Sequence, residues 1–346
     1  MTGPVTSPAP TLLTARSPAD LLAVAPVVLG FWPRESVVML TLGIDRAFHA
    51  RLDLPSVEEL DDGGRAGLED ALLTPARRHR VPAVVLLYFT DRPDAARAAH
   101  AVLDRACRRA RIAVPVAVAA DGEHYVDLTD PGRGGVPYDP VAHPFVREAV
   151  AAGRLAHASR EDMVASLDPD PAAQAAVAAA LAAAGHGPAD LVGPARWLPS
   201  GAAAVRAQGD WVAATVARAV ASGAPPPPAD VARLVWVVQV PRVRDAAWSL
   251  IDQDSAEGHV RLWTSVVRGT PQPLLPVPAT LLGWAAWQAG AGALAWAALD
   301  RCRSADPSYP LAGDLALLLQ HAVPPDIWTG GFDWARGLPP PSRGAH

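Results

Sequence analysis

The segment Val81-Pro-Ala-Val-Val-Leu-Leu-Tyr-Phe89 is a continuous apolar stretch rich in β-branched and aromatic residues. It has no alternating polar positions, and its length suits a strand better than a helix. These features predict a strand covered on both faces. Because such a strand needs helices above and below it, the segment predicts the centre of an α/β sheet.

Helix-forming segments flank this strand, at residues 65–79 before it and 92–111 after it. A second strand is expected at Val114–Ala119, parallel to the first, because the connecting helix makes a right-handed crossover. The segment Glu123–Leu128 is expected to pair back on that strand across the turn at Asp121-Gly122.

The amino-terminal side of the predicted sheet starts with a capped helix. Ser17 is placed as the N-cap, Pro18 at the first helical position, and Asp20 where it closes a capping box. A β-hairpin is expected next, from Ser36–Leu42 and Ala47–Leu54. The complete order, α-ββ-α-β-α-ββ, predicts a mixed sheet and an α/β fold for the amino-terminal half.

The carboxy-terminal half has the composition of a separate helical domain. Helical patterns follow the Gly/Pro-rich loop Asp130–Pro140, and ten of the eleven Trp lie after residue 190. The expected divisions are a disordered N-terminus (1–15), an α/β domain (16–140), short helices with a linker (141–200), a helical, repeat-like domain (201–330) and a disordered tail (331–346).

One helical hairpin has a recognisable spacing. Leu282-Gly283, Gly290, Ala295 and Asp306-Pro307 stand at the offsets of a tetratricopeptide-type unit, in which small residues let two antiparallel helices approach closely. A stable repeat array needs about three such units. We therefore expect a single hairpin that caps other helices. We do not expect a long peptide-binding superhelix.

Composition and charge narrow the function and the location. All 30 basic residues are Arg, which rules out a Schiff-base lysine and a Walker A lysine. The net charge of −5 gives no general attraction to nucleic acid, so nucleic acid is not an expected partner. Cys107 and Cys302 are expected to be free, buried thiols.

Two segments bear on the location. The first 15 residues lack the features of a signal peptide, so a cytoplasmic location is expected. No charge occurs between Arg268 and Asp300, but prolines and small residues fill that stretch. It therefore favours a buried helical hairpin, and no association with a membrane is expected.

Common catalytic motifs are absent from the sequence, including GxSxG, HExxH, GxGxxG and the P-loop. No catalytic residue, cofactor or metal is assigned. The leading hypothesis is a non-catalytic regulatory or protein-interaction protein that binds protein through its helical half. The alternative is an enzyme or small-ligand-binding domain with its site at the carboxyl ends of the strands, near Thr90-Asp91 and Ala120-Asp121.

Two polar groups are candidates for ligand binding. His49, Arg51 and Asp53 alternate along one strand face, which suits a recognition strip or an acid–base pair, although a solvated face with a cross-strand ion pair is favoured. Asp121 and His124 are residue types that bind metals, but a β-turn with polar edges is the favoured interpretation.

Arginines cluster at the ends of the two helices that flank the central strand. The cluster comprises Arg77, Arg78, Arg80, Arg105, Arg108, Arg109 and Arg111. Arg105, Arg108 and Arg109 share one helix face and make nucleic-acid binding a lesser alternative. The simpler explanation is that they complement the helix dipole.

The segment Arg16-Ser-Pro-Ala-Asp-Leu-Leu-Ala-Val-Ala-Pro-Val-Val-Leu-Gly-Phe-Trp-Pro-Arg-Glu-Ser-Val-Val-Met-Leu40 closely resembles an actinobacterial family labelled domain of unknown function 4192. The resemblance continues in Ala50–Pro55, Gly135–Pro140, Ser159–Asp162, Val243–Trp248 and Leu282–Pro307. It implies a shared fold but no activity, because the family has no established one.

The chain departs from this family in one loop. Many members carry a cysteine pair after the last hairpin, near a Trp-Ser-Tyr segment. Here the sequence reads His124-Tyr-Val-Asp127, and the loop is Gly132-Arg-Gly-Gly135. Either the loop has a structural role or this protein has lost a function that depended on the cysteines.

Overall fold

The computed structural model describes residues 14–130, 132, 134–186 and 201–340. The chain forms two compact units, residues 1–160 and 161–346. Most of the N-terminus predicted to be disordered, and most of the predicted linker, lie outside the described residues.

The first unit is built on a mixed sheet, as predicted. Its strands are β1 (Ser36–Leu42), β2 (His49–Asp53), β3 (Ala83–Phe89), β4 (Ala113–Ala120), β5 (His124–Asp127) and β6 (Val136–Pro137). Their spatial order is β2-β1-β3-β4-β5-β6. Strands β3 and β4 are parallel, and the other neighbouring pairs are antiparallel. The sixth strand falls within a segment predicted to be a loop, because two residues are too few to give a pattern.

Helices cover both faces of this sheet. They are α1 (Pro18–Leu29), α2 (Asp62–Arg78), α3 (Pro93–Ala110) and α4 (Pro144–Ala151). Helices α2 and α3 share a core with Val37, Leu86 and Tyr88, whereas α1 and α4 pack on each other at the opposite face. The predicted capping box of α1 is confirmed: the Ser17 and Asp20 side chains each accept a hydrogen bond from the other residue's backbone N–H.

Helices dominate the second unit. A short helix, α5 (Arg160–Ala165), begins at the boundary. The others are α6 (Pro171–Ala183), α7 (Ala202–Ser222), α8 (Pro228–Val237), α9 (Pro241–Trp248), α10 (Ala256–Gly269), α11 (Pro276–Gln288), α12 (Gly292–Ala305) and α13 (Pro310–Gln320), with 3-10 turns at Gln272–Leu274 and Pro325–Ile327. All thirteen residues of α11 are buried. Helices α11 and α12 form the predicted hairpin.

The carboxy-terminal segment, residues 323–340, differs from the sequence-based expectation in part. Residues 331–340, predicted to belong to a disordered tail, pack against the second unit. For example, the Gly331 N–H donates to the Ser249 carbonyl at 2.7 Å. Aromatic side chains anchor this segment to the second unit.

Candidate functional sites

The first candidate site lies at the edge of the sheet where β3 and β4 end and β1 begins. The Thr90 hydroxyl donates to the Glu35 carboxylate, with 2.9 Å to either oxygen, and accepts from the Arg92 N–H at 3.0 Å. The Arg92 guanidinium pairs with the same carboxylate, its Nε at 2.6 Å. Glu35 has a φ of 40°, and such left-handed backbone at a non-glycine residue recurs at functional sites.

Arg51 extends this edge toward β2. Its guanidinium donates from Nε to the Ser36 hydroxyl at 2.8 Å and pairs with Asp53 at 2.6 Å. The Arg51 side chain is only 10% exposed, whereas that of Asp53 is 82% exposed. The predicted solvated face is therefore wrong for Arg51, whose charge is covered. The ion pair with Asp53 lies within one strand.

His49 lies on the same face of β2 but faces α1. Its imidazole donates a hydrogen bond to the Val28 carbonyl near the end of that helix. Burial lowers the pKa of His49, although this hydrogen bond acts in the opposite direction. His49 therefore joins the sheet to α1 and is not part of the polar edge.

The remaining predicted ligand-binding residues do not converge. Asp91 is exposed at the end of β3. Oδ1 of Asp121 accepts the N–H groups of Glu123 and His124 at 2.8 and 2.7 Å, and these bonds lower the pKa of Asp121. The favoured β-turn interpretation fits this geometry. The His124 side chain is exposed. In the part of the chain that the structure describes, no three His, Cys, Asp or Glu side chains form a metal-binding group.

The predicted nucleic-acid candidates on α3 are partly neutralised. Arg108 pairs with Asp104, and Arg109 pairs with Glu69 at 2.6 Å. Arg105 is exposed and makes no ion pair with a described residue. This helix face alone therefore presents one uncompensated charge, rather than three.

The second candidate site is the surface of the second unit beneath the carboxy-terminal segment. Trp328 stacks on Trp248 with ring centroids 4.6 Å apart, and its Nε1 donates to the Ile251 carbonyl at 3.0 Å. Phe332 meets both indoles edge-on. Trp284 of the buried helix α11 packs against Trp248 and Trp328.

A glycine and two arginines hold the far end of this segment. Trp334 rests on Gly209 of α7, where a Cβ would lie 2.2 Å from the Trp334 ring. Arg206 lies over the same ring at 5.6 Å and donates to the Pro339 carbonyl at 3.5 Å. Arg242 donates to the Arg336 carbonyl at 2.8 Å. The surface thus binds an extended segment in two ways. Gly209 leaves space for the Trp334 ring, a space that we call the aromatic seat, and the arginines donate hydrogen bonds to backbone carbonyls of the segment.

Several residues of the two sites were not predicted as candidates. Glu35 is more than 50 residues from Thr90 and Arg92 in the sequence, and no motif connects them. The one sequence feature that pointed to this site was the position of Thr90 at the end of a buried strand. Trp328 and Trp334 had a clearer signal, since two tryptophans in a Gly/Pro-rich segment are rarely left in solvent.

Neither cysteine has the environment of a reactive thiol. Burial raises the pKa of Cys107 to about 11 and also raises that of Cys302. Because the thiolate is the reactive form, both thiols are unreactive at neutral pH. The expectation of free, buried cysteines is confirmed.

The two sites belong to a chain that combines a helix-covered mixed sheet with a helical unit. The chain belongs to the family described as Domain of unknown function (DUF4192), whose model matches residues 18–326. Comparison with curated proteins and with solved structures gave no match. The tetratricopeptide likeness of the hairpin therefore stays a prediction. None of the described helices combines the length and the apolar character needed to cross a bilayer.

Proposed function

We propose that the protein is a non-catalytic interaction protein whose second unit binds an extended, aromatic-bearing segment of a partner protein. The observation that supports this proposal is the packing of residues 328–339 on α7 and α9. Gly209 provides the aromatic seat, and the guanidinium groups of Arg206 and Arg242 bind backbone carbonyls. Contacts to backbone carbonyls tolerate many sequences, so a partner's segment can replace the resident one.

A peptide of residues 326–340, labelled with fluorescein, tests this proposal. In the Trp334→Ala variant the aromatic seat on Gly209 is vacated, and we expect the peptide to bind with higher affinity than it binds the unmodified chain. Adding Gly209→Ala should abolish this binding, since the new Cβ would occupy the space of the indole ring. Fluorescence anisotropy measures both effects.

Gly313→Ala is the matched control. Gly313 is an exposed helical glycine of the same unit, and a Cβ there meets no other group within 4 Å. It should leave peptide binding by Trp334→Ala intact. If Trp334→Ala binds the peptide no better than the unmodified chain, the proposed interaction surface is wrong.

The sheet edge supports a second candidate function, the binding of a small ligand. The supporting observation is the left-handed backbone of Glu35 beside Thr90 and Arg92. A thermal-shift screen of nucleotides and phosphorylated metabolites tests it, because a ligand that binds only the native state raises the melting temperature. A ligand of this edge should stabilise the unmodified chain and should not stabilise Arg92→Gln.

A further inference from the structure

The helices α2 and α3 end in the same unusual way. The N–H of Val81 bonds to the Ala76 carbonyl and that of Ile112 to the Cys107 carbonyl, both at 2.9 Å. This pattern is the Schellman motif, in which the residue before the donor adopts left-handed backbone and is commonly glycine. Here that residue is arginine in both helices, Arg80 with φ 52° and Arg111 with φ 57°.

Glycine is the commoner residue at such helix ends in this chain, and Ala322 after α13 is a further exception, with φ 47° and a 2.9 Å bond from the Val323 N–H to the Leu318 carbonyl. Helices α1 and α7 end on Gly30 and Gly223, which have the same left-handed backbone. For a side chain other than glycine this conformation costs about 1 kcal/mol. A favourable interaction with the helix dipole does not explain why arginine stands at positions 80 and 111. The last turns of α2 and α3 already contain arginines that supply this interaction, namely Arg77, Arg78, Arg108 and Arg109.

The sheet places the two arginines side by side. Arg80 stands two residues before Pro82, Arg111 stands two before Ala113, and the Ala113 N–H donates to the Pro82 carbonyl at 2.9 Å. Neighbouring strands are about 4.8 Å apart. Both side chains therefore emerge from one edge of the sheet, opposite to the edge that holds Glu35.

The charge at these helix ends is mainly positive, with the exposed Asp45 of the β1–β2 turn as an acidic residue at the same edge. Glu69 and Asp104 are paired with Arg109 and Arg108. At the ends of α2 and α3, the arginines that are exposed and make no ion pair with a described residue are Arg77, Arg78, Arg80, Arg105 and Arg111. Guanidinium groups bind phosphate oxygens in pairs of hydrogen bonds, which makes arginine well suited to a phosphate backbone.

We propose that this edge, centred on Arg80 and Arg111, binds the phosphate backbone of double-stranded nucleic acid. Single-stranded nucleic acid is bound through exposed aromatic rings on which the bases stack. The nearest rings at this edge, Phe48 and His79, pack against each other, so a double strand is the better match. Binding to a membrane surface needs apolar anchors beside the charges. Leu42 is the one large exposed apolar side chain at this edge among the described residues.

The test uses the full chain with the double substitution Arg80→Gly and Arg111→Gly. Glycine suits both backbone positions, so the melting temperature should stay the same or rise. Affinity for a labelled DNA duplex of about two helical turns should fall on the order of tenfold at about 50 mM salt. The slope of log affinity against log salt should become shallower by about 2.

Arg34→Ala with Arg147→Ala is the control, because it removes the same charge from exposed positions elsewhere in the first unit. It should leave the duplex affinity and the salt slope nearly unchanged. The proposal is overturned if the unmodified chain binds no duplex, or if the glycine variant binds it with unchanged affinity and slope. It is also overturned if the chain binds vesicles containing phosphatidylserine and binds no duplex.

Discussion

At the scale of single residues, a buried histidine makes stability depend on pH. His259 of α10 is 2% exposed, and burial lowers its pKa to about 4, although the Leu250 carbonyl and the Asp252 carboxylate favour the charged form. In the unfolded chain a histidine has a pKa near 6.5. Between these two values the unfolded state binds the additional proton.

The sign of the effect follows from this difference. We predict that the free energy of unfolding falls as the pH is lowered from about 6.5 to about 4, with His259 contributing roughly 3 kcal/mol to the decrease. The His259→Leu variant should lose less stability over the same range, measured by urea unfolding at each pH. An equal pH dependence in the two proteins would contradict the assignment.

At the scale of secondary-structure elements, the close approach of α11 and α12 depends on a glycine. A Cβ at Gly283 would lie 3.0 Å from the Leu315 side chain, 3.4 Å from the Ala295 carbonyl and 3.6 Å from the Ala298 Cβ. We predict that Gly283→Val lowers the free energy of unfolding by about 2 kcal/mol through overpacking. Gly313→Val, at an open helical position, should have a much smaller effect in the same denaturant titration.

The secondary-structure elements also show which parts of the fold could be predicted from sequence patterns. The strong apolar run at residues 81–89 and the capping box at Ser17 were predictable because local chemistry specifies them. The two-residue strand β6 was not, since pairing with β5 creates it. The vicinity of Thr90 was predicted as a possible site, but the part played by Glu35 was not, because Glu35 meets Thr90 and Arg92 only when β1 and β3 pair antiparallel.

At the scale of the whole molecule, each unit has its own buried core, and the tryptophans report mainly on one of them. In a Trp32→Phe background, every remaining tryptophan lies after residue 190. Leu103 is fully buried in the first unit. We predict that Leu103→Ala, which removes about 2–5 kcal/mol, lowers the urea midpoint seen by far-UV circular dichroism and leaves the fluorescence midpoint unchanged. Equal shifts of both midpoints would show that the units unfold together.

The complete burial of α11 has a consequence for biosynthesis. Its partners include the Val323 and Pro325 carbonyls, which accept from Trp287 and Gln288, and Trp328, which packs on Trp284. These partners are translated after the helix itself, at roughly 5–20 residues per second. For a few seconds on the ribosome the helix thus presents an uncovered apolar surface. We expect chaperones that hold nascent chains to bind this apolar surface until residues 323–328 have emerged.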